Sequence, residues 1–363
     1  MTAATILVTH ALGSYPVYVE PGALARLEEF IAEHLDVART TLIADGTVFA
    51  LLQTGRLGRN PWSGSSLTFP AGEASKSREQ WARLTDALLA DGFGRDGGII
   101  ALGGGVAGDL AGFVAATYMR GLPYLQVPTS LLAMLDASVG GKTGVDTPEG
   151  KNLIGAFHPP QAVVADPRVL ATLPDRDYRG GMAEAVKHGL IADAEYFAWM
   201  EREAEALLRR EEAALTRLVR RSVEIKADVV SGDEREAGRR AILNAGHTVA
   251  HALERVTAYA IPHGEAVALG LVAECALAEV MGLAPSGVAA RVSALLSRLG
   301  LPVRLTQPLD VDRLIAGMAS DKKNRSARVR FALARRLGGM DSEGGWTREA
   351  PEPELRRALR AIG

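Results

Sequence analysis

The chain has 363 residues, 41 basic and 43 acidic side chains, a formal charge of −2 and 47% apolar content. That supports sizeable cores, suggests two domains at about 150 residues each, and provides no global basic field for nucleic acid. A single cysteine, Cys275, excludes an internal disulfide and a cysteine-rich zinc site.

In chain order, the opening "MTAATILVTH" lacks the basic flank and apolar run of a secretory signal. The first half then alternates short β-rich runs with helical patterns. Strands are expected at "TTLIAD" (40–45), "SLTFPAG" (66–72), "GGIIALGGG" (97–105), "YLQVPTS" (124–130) and "AVVADP" (162–167). Between them, "SREQWARLTDALLADG" (77–92) puts Trp81, Leu84, Leu88 and Leu89 at helical spacing, expected on one face. Alternating strand and helix imply an open parallel sheet covered by helices.

After "TLPDRDY" (172–178) the character changes. Residues 195–221 read as one long charged helix, and helical signal continues to about Leu299. A domain boundary is therefore expected near 173–175, giving an α/β domain over 1–173 and a mostly α-helical domain over 174–363. A short return to strand is expected at "VRFALA" (329–334), and the tail from Gly338 carries no readable chemistry. The longest apolar stretch, 266–283, is interrupted by Glu274 and Glu279, too much for a membrane span. No repeat of 20–50 residues is visible. The expectation is a soluble cytoplasmic protein without a nucleic-acid or membrane partner.

Three stretches carry chemistry. "ALGGGVAGD" (101–109) places Gly103, Gly105 and Gly108 after an apolar strand and before a helical pattern. Backbone N–H groups at such a helix start can approach a pyrophosphate, since no Cβ blocks them. Alone the motif is weak: it lies about 100 residues into the chain, and the next strand ends without the usual acid. Asp45, or Glu73 with Lys76, are the groups available for a ribose. Further on, "SVGGKTGVDTPEGKNLIGAFHPP" (138–160) reads as a long, flexible, cationic loop with little capacity for a core.

The third stretch is "NAGHTVAHALE" (244–254), followed by "HGEAVALG" (263–270). His247 and His251 are four apart and share a helical face, but the catalytic glutamate of a zincin helix is missing. Spacing alone pairs these two as ligands, with His263, opening a second helix, as the competing choice. A catalytic zinc takes about three N/O ligands and keeps one open position. A carboxylate is the natural third ligand, and "GGMAEAVKHG" (180–189) supplies Glu184, with Lys187 three residues on.

"LGGGVAGDLAGFVAATYMRG", "VPTSLLAMLDASVGGKTGVD", "GKNLIGAFHPP", "GMAEAVKHG", "EIKADVVSGDERE", "LNAGHTVAHALE", "HGEAVALG" and "DKKNR" follow one another from 102 to 325, within a resemblance that spans about 45 to 325. In order and spacing they resemble the 3-dehydroquinate synthase family, whose wider superfamily includes iron-dependent alcohol and glycerol dehydrogenases. The resemblance implies a Rossmann-like NAD domain, a helical metal domain and a homodimer. By that resemblance Glu184, His247 and His263 are the zinc ligands, with cobalt the other candidate metal, and His251 is a substrate contact instead. Asp45, Glu73, Lys76, Gly104, Gly105, Val106, Asp109, Thr129, Ser130, Lys151 and Thr172 fall at NAD-contacting positions. Asp136, Lys142, Asn152, Lys187, Lys226, Arg240, Asn244, Lys322 and Lys323 match substrate-site positions. Arg120 matches an arginine that reaches the neighbouring subunit's site. Two departures are Val249–Ala250, where the family often has Phe-Gly, and His188, where it often has tyrosine.

The implied substrate is 3-deoxy-D-arabino-heptulosonate 7-phosphate, which carries a carboxylate and a phosphate. Lys142, Asn152, Arg120, His251 and the "DKK" lysines are expected at the phosphate; Arg240, Lys226 and Asn244 at the carboxylate and hydroxyls. Charge-assisted hydrogen bonds of this kind contribute about 1.5–3 kcal/mol each. The implied reaction is transient oxidation by NAD, phosphate elimination, re-reduction and intramolecular aldol closure. The competing readings are another sugar phosphate cyclase, a glycerol-type dehydrogenase and a non-catalytic scaffold. So many cations favour an anionic substrate over a small neutral alcohol, and a scaffold has no reason to keep a costly polar cluster.

Overall fold

The computed structural model describes residues 5–307, 310–319 and 329–363. The chain divides into two compact units: Met1–Pro174 with Leu215–Ser231, and Asp175–Ala214 with Gly232–Gly363.

Among the described residues the first unit is built on nine strands: β1 (Ile6–His10), β2 (Gly13–Val19), β3 (Arg39–Asp45), β4 (Ser65–Phe69), β5 (Gly97–Gly103), β6 (Tyr124–Pro128), β7 (Lys142–Thr147), β8 (Gly150–Phe157) and β9 (Ala162–Ala165). Its helices are α1 (Leu27–His34), α2 (Gly46–Gln53), α3 (Arg78–Ala90) and α4 (Gly105–Thr117). Seven strands form one sheet in the order β1-β2-β9-β6-β5-β3-β4. All neighbours are parallel except the antiparallel β1–β2 edge. Every residue of β5, β6 and β9 is buried, as expected of strands covered on both faces.

From β3 the chain steps to β4 on one side and then to β5 on the other. That reversal opens a crevice beyond the C-terminal ends of β3 and β5, where doubly wound sheets bind ligands. Asp45 ends β3 and Gly103 ends β5, so both stand at this point.

Three features of this unit differ from expectation. The β1–β2 pair was not anticipated. On α3, Leu84 and Leu88 are buried while Leu89 is 57% exposed. Adjacent helical residues lie about 100° apart, so Leu88 and Leu89 cannot both face the sheet. Residues 138–160 are largely an antiparallel hairpin, β7 against β8. Val145 of β7 is fully buried in a core with Leu110, Phe113 and Val114 of α4. The stretch therefore does contribute to a core.

The second unit is helical: α5 (Asp175–Ala192), α6 (Ala194–Leu208), the start of α7 (Glu212–Gly232), α8 (His247–Val256), α9 (His263–Val280), α10 (Val288–Arg298), α11 (Val311–Ala319) and α12 (Glu352–Leu359). Among the described residues four short strands complete it: β10 (Arg330–Phe331), β11 (Ala334–Arg336), β12 (Gly339–Met340) and β13 (Arg348–Glu349). Helix α9 is buried around most of its circumference and packs against α5, α8, α10 and α12, which makes it the core helix. The single long helix expected over 195–221 is two helices. Arg210 takes a left-handed φ of 56°, its guanidinium 4.4 Å from the Tyr178 ring centroid and 2.7 Å from Asp175 Oδ1. Past that break α7 runs on, and its residues Leu215–Ser231 belong to the first unit.

Candidate active site

In the first unit, the apolar run of β5 ends in the glycine turn and α4 begins at Gly105. Gly104 is the N-cap residue, and no side chain caps the helix. The uncapped N–H groups and the helix dipole favour an anion there. Asp45 lies beside Gly103 and caps α2 by accepting the Val48 N–H at 2.9 Å. Thr129 and Ser130 follow β6: the Thr129 N–H donates to Gly103 O at 2.8 Å, and Ser130 Oγ lies close to Gly104. Val106 and Asp109 occupy the first turns of α4. Asp109 Oδ2 meets the buried Lys76 ammonium at 2.5 Å. Burial alone would lower the Lys76 pKa, but Asp109 outweighs it and the net shift is upward.

The hairpin joins this group at its tip. Lys151 Nζ stands 3.4 Å from Glu73 Oε1, and the Asp146 N–H donates to Lys76 O at 2.7 Å. Asn152, held at φ 54°, donates its N–H to Asp146 Oδ1 at 2.8 Å. Lys142 is exposed at the start of β7, and Arg120, at φ 69°, ends the turn after α4. Lys226 of α7 is buried and pairs with Asp136 Oδ1 at 2.7 Å. Thr172 closes a 3₁₀ turn, Pro167–Thr172, its hydroxyl donating to Val169 O at 2.9 Å.

In the second unit, three helices bring a carboxylate and two imidazoles together. Glu184 lies in mid-α5, while His247 and His263 are the first residues of α8 and α9. Their ligand atoms lie within 4.8 Å of one another. Glycine contacts let the helices approach. A Cβ on Gly264 would stand 2.3 Å from Gly180 Cα, so α5 and α9 meet backbone to backbone. Gly246, at φ 80°, starts α8 against α9.

Glu184 is 1% exposed, and neither carboxylate oxygen finds a hydrogen-bond partner. They are met by charge: Lys187 at Oε2, His247 Nε2 at 3.3 Å and His263 Nε2 at 3.8 Å from Oε1. Burial would raise the Glu184 pKa, but Lys187 and His247 hold it well below the usual carboxylate range. Burial, helped by Lys187, pushes His247 down to about 4, so its imidazole is neutral at pH 7. Burial works against charge on His263 too, yet Glu184 and Glu254 outweigh it and raise its pKa to about 9. A buried ionised carboxylate facing two imidazole nitrogens is a donor set suited to a divalent ion with an open position.

The other expected groups of this unit surround named partners. His251 stands with its ring centroid 5.5 Å from that of His247. Arg240 is buried, donating through Nη1 to Glu234 O at 2.5 Å. Its backbone N–H, with those of Ala237 and Gly238, is held by Asp233 at 2.7–2.9 Å. Asn244 Nδ2 donates to Glu236 Oε1 at 2.7 Å. Lys322 and Lys323 lie outside the described residues.

Sequence reasoning missed three acids. Glu236 orients Asn244, and nothing in its polar loop marks it out. Glu254 stands 3.5 Å from His263 Nδ1, on the face of α8 that also carries His247 and His251. Its i+3 and i+7 spacing from those histidines was a usable signal. Glu274, noticed only as an interruption of an apolar run, contacts the start of α8.

A doubly wound sheet with an anion-ready helix start, and a helical unit that converges a carboxylate and two imidazoles, place the chain among metal- and nucleotide-using enzymes. Comparison with known proteins narrows that class. Residues 66–180 match the 3-dehydroquinate synthase N-terminal family and residues 181–324 the 3-dehydroquinate synthase C-terminal family. The 3-dehydroquinate synthase of Halorhodospira halophila is 47% identical over 95% of this chain and 97% of its own length. That of Symbiobacterium thermophilum is 45% identical over 89% and 92%. Among solved structures, a 2-deoxy-scyllo-inosose synthase complexed with carbaglucose-6-phosphate, NAD⁺ and Co²⁺ aligns with a TM-score of 0.87 at 25% identity, over 98% of this chain and 99% of that one. A 2-epi-5-epi-valiolone synthase from Streptomyces hygroscopicus with NAD⁺ and Zn²⁺ bound aligns at 0.85 and 30% identity, over 99% and 98%. The chain belongs to the 3-dehydroquinate synthase family.

Proposed function

We propose that the chain converts 3-deoxy-D-arabino-heptulosonate 7-phosphate into 3-dehydroquinate and inorganic phosphate, a carbon–oxygen lyase step toward aromatic amino acids. The observation that carries this reading is the Glu184–His247–His263 cluster in a chain of this family. Those three residues hold zinc or cobalt. Asp45, Glu73, Lys76, Gly104, Gly105, Val106, Asp109, Thr129, Ser130, Lys151 and Thr172 hold NAD. When bound, the ion supplies Lewis acidity to a substrate hydroxyl and NAD supplies a hydride acceptor that is regenerated each turnover.

The protein's own groups bind and orient. Lys187 keeps Glu184 ionised, and Glu254 holds the His263 ring by its other nitrogen, as metal-site histidines require. Lys142, Asn152, Arg120 and His251 meet the phosphate, and Lys322 and Lys323 are assigned to the same end. Arg240, Lys226 and Asn244 meet the carboxylate and hydroxyls, with Asp136, Asp233 and Glu236 fixing the three. The functional division falls near residue 174, NAD before it and metal after it. We assign the enzyme to the cytoplasm as a homodimer, with Arg120 serving the partner's site. Two features are compatible with this: no helix among the described residues is long and apolar enough to cross a membrane, and Arg120 is exposed.

The test is incubation of the metal-loaded enzyme with the heptulosonate phosphate and catalytic NAD⁺. Phosphate and dehydroquinate should appear in equal amounts with no lasting NADH absorbance. Accumulating NADH would point to a dehydrogenase, and phosphate release from only a sugar phosphate without a carboxylate would point to another cyclase.

A further inference from the structure

Glu274 sits eleven residues after His263 on α9, about three turns along and on nearly the same face. It is 3% exposed. Its Oε2 accepts the Gly246 N–H at 2.7 Å and its Oε1 the Val249 N–H at 3.1 Å. The start of α8 has no side-chain cap from its own N-cap residue, glycine, so a neighbouring helix supplies one. One peptide links this cap to the metal cluster. Gly246 N–H and Ala245 C=O belong to the same planar unit. Ala245 O lies 3.1 Å from His247 Nδ1, within hydrogen-bond reach. Holding the N–H end of that plane therefore fixes the carbonyl end. The carbonyl is placed to accept from the imidazole Nδ1–H, the tautomer that would offer Nε2, on the Glu184 side, to a metal.

We propose that Glu274 is a positioning residue for the metal site: by clamping the Ala245–Gly246 peptide it sets the tautomer and ring orientation of His247. Helix α9 thereby contributes His263 directly and His247 through Glu274. This inference rests on the ligand assignment proposed above.

The test uses full-length protein stripped of metal and titrated with Co²⁺, whose visible spectrum reports ligand geometry. Glu274→Gln keeps one acceptor but turns an amide N–H₂ toward the other donor. It should raise the Co²⁺ dissociation constant about 10- to 100-fold, the range seen when a metal ligand's supporting hydrogen bond is lost. The visible band should change while NAD⁺ affinity and far-UV circular dichroism stay as in wild type. An unchanged Co²⁺ affinity and band in folded Glu274→Gln would overturn the proposal. So would a parallel loss of NAD⁺ affinity, which would mark general damage. If the variant does not fold, long-range ¹H–¹⁵N spectra of Zn²⁺-loaded wild type decide: His247 should keep Nδ1–H and bind through Nε2, and binding through Nδ1 would refute the mechanism. The ligand reading fails separately, if wild type binds no Co²⁺ or if His247→Ala binds it as wild type does.

Discussion

The buried Glu184–Lys187 pair illustrates how a single side chain can matter for two reasons. Removing the carboxylate takes away a donor of the metal site proposed above and also the acidic partner of an ammonium that is 1% exposed. Breaking a buried pair by removing one partner costs about 3–5 kcal/mol, whereas replacing both members with apolar groups is often neutral. Metal-free Glu184→Gln should therefore unfold at markedly lower denaturant than wild type, and adding Lys187→Met should recover most of the loss. Zinc content should fall in both, since the donor is gone in both; stoichiometric zinc after dialysis of either would remove Glu184 from the ligand set. Asp233 yields a pH prediction of known sign. Partial burial opposes its ionisation, but the N–H groups of Arg240, Ala237 and Gly238 outweigh this and lower its pKa. Its stabilisation is therefore present above the ordinary aspartate range near 3.8 and lost as pH falls through the depressed folded value. Asp233→Asn should narrow the gap between neutral and acid stability. Identical acid melting curves for variant and wild type would show that the loop carrying Arg240 does not depend on this carboxylate.

At the scale of elements, the contact of α5 with α9 makes two glycines unequal. A methyl on Gly264 would fall 2.3 Å from Gly180 Cα and 2.4 Å from its carbonyl oxygen, whereas one on Gly180 would lie 3.6 Å from Gly264 Cα. Overpacking typically costs about 1–3 kcal/mol. In a helix interior alanine is favoured over glycine by up to about 1 kcal/mol. Gly264→Ala should lower the melting temperature and weaken metal binding, while Gly180→Ala should be neutral or slightly stabilising; equal effects would contradict the packing. The same scale explains what could be read in advance. The buried strands β3, β5, β6 and β9 announce themselves as short apolar runs between glycines, prolines and acids. The β1–β2 edge did not, because Gly13 and Pro16 are breaker signals in strands that bury only alternate residues. The hairpin at 142–157 was hidden by its glycines, which read as a loop although Gly155 packs directly on the Thr143 carbonyl. The metal cluster was beyond periodicity alone. Helical spacing shows that His247 and His251 share a face, but a set drawn from three helices is made by tertiary contacts. The residues alone offered Glu184 as a carboxylate and His263 as a choice competing with His251; it was family resemblance that favoured His263.

For the whole molecule, the chain's route matters as much as its elements. The sheet-bearing unit is discontinuous, since Leu215–Ser231 returns to it after an excursion through α5 and α6. That returning stretch buries Leu218, Val219, Val223 and Val230 and brings Lys226 to Asp136. A chain ended at Pro174 should consequently bind a dye specific for exposed apolar surface and melt without a cooperative transition. A sharp melt would show that α7 is dispensable to the sheet. During translation the same route imposes a schedule. A ribosome adding about 5–20 residues per second completes β9 several seconds before it delivers the helix that finishes the unit. For that interval the nascent unit lacks the buried apolar residues of this segment, a natural station for a chaperone.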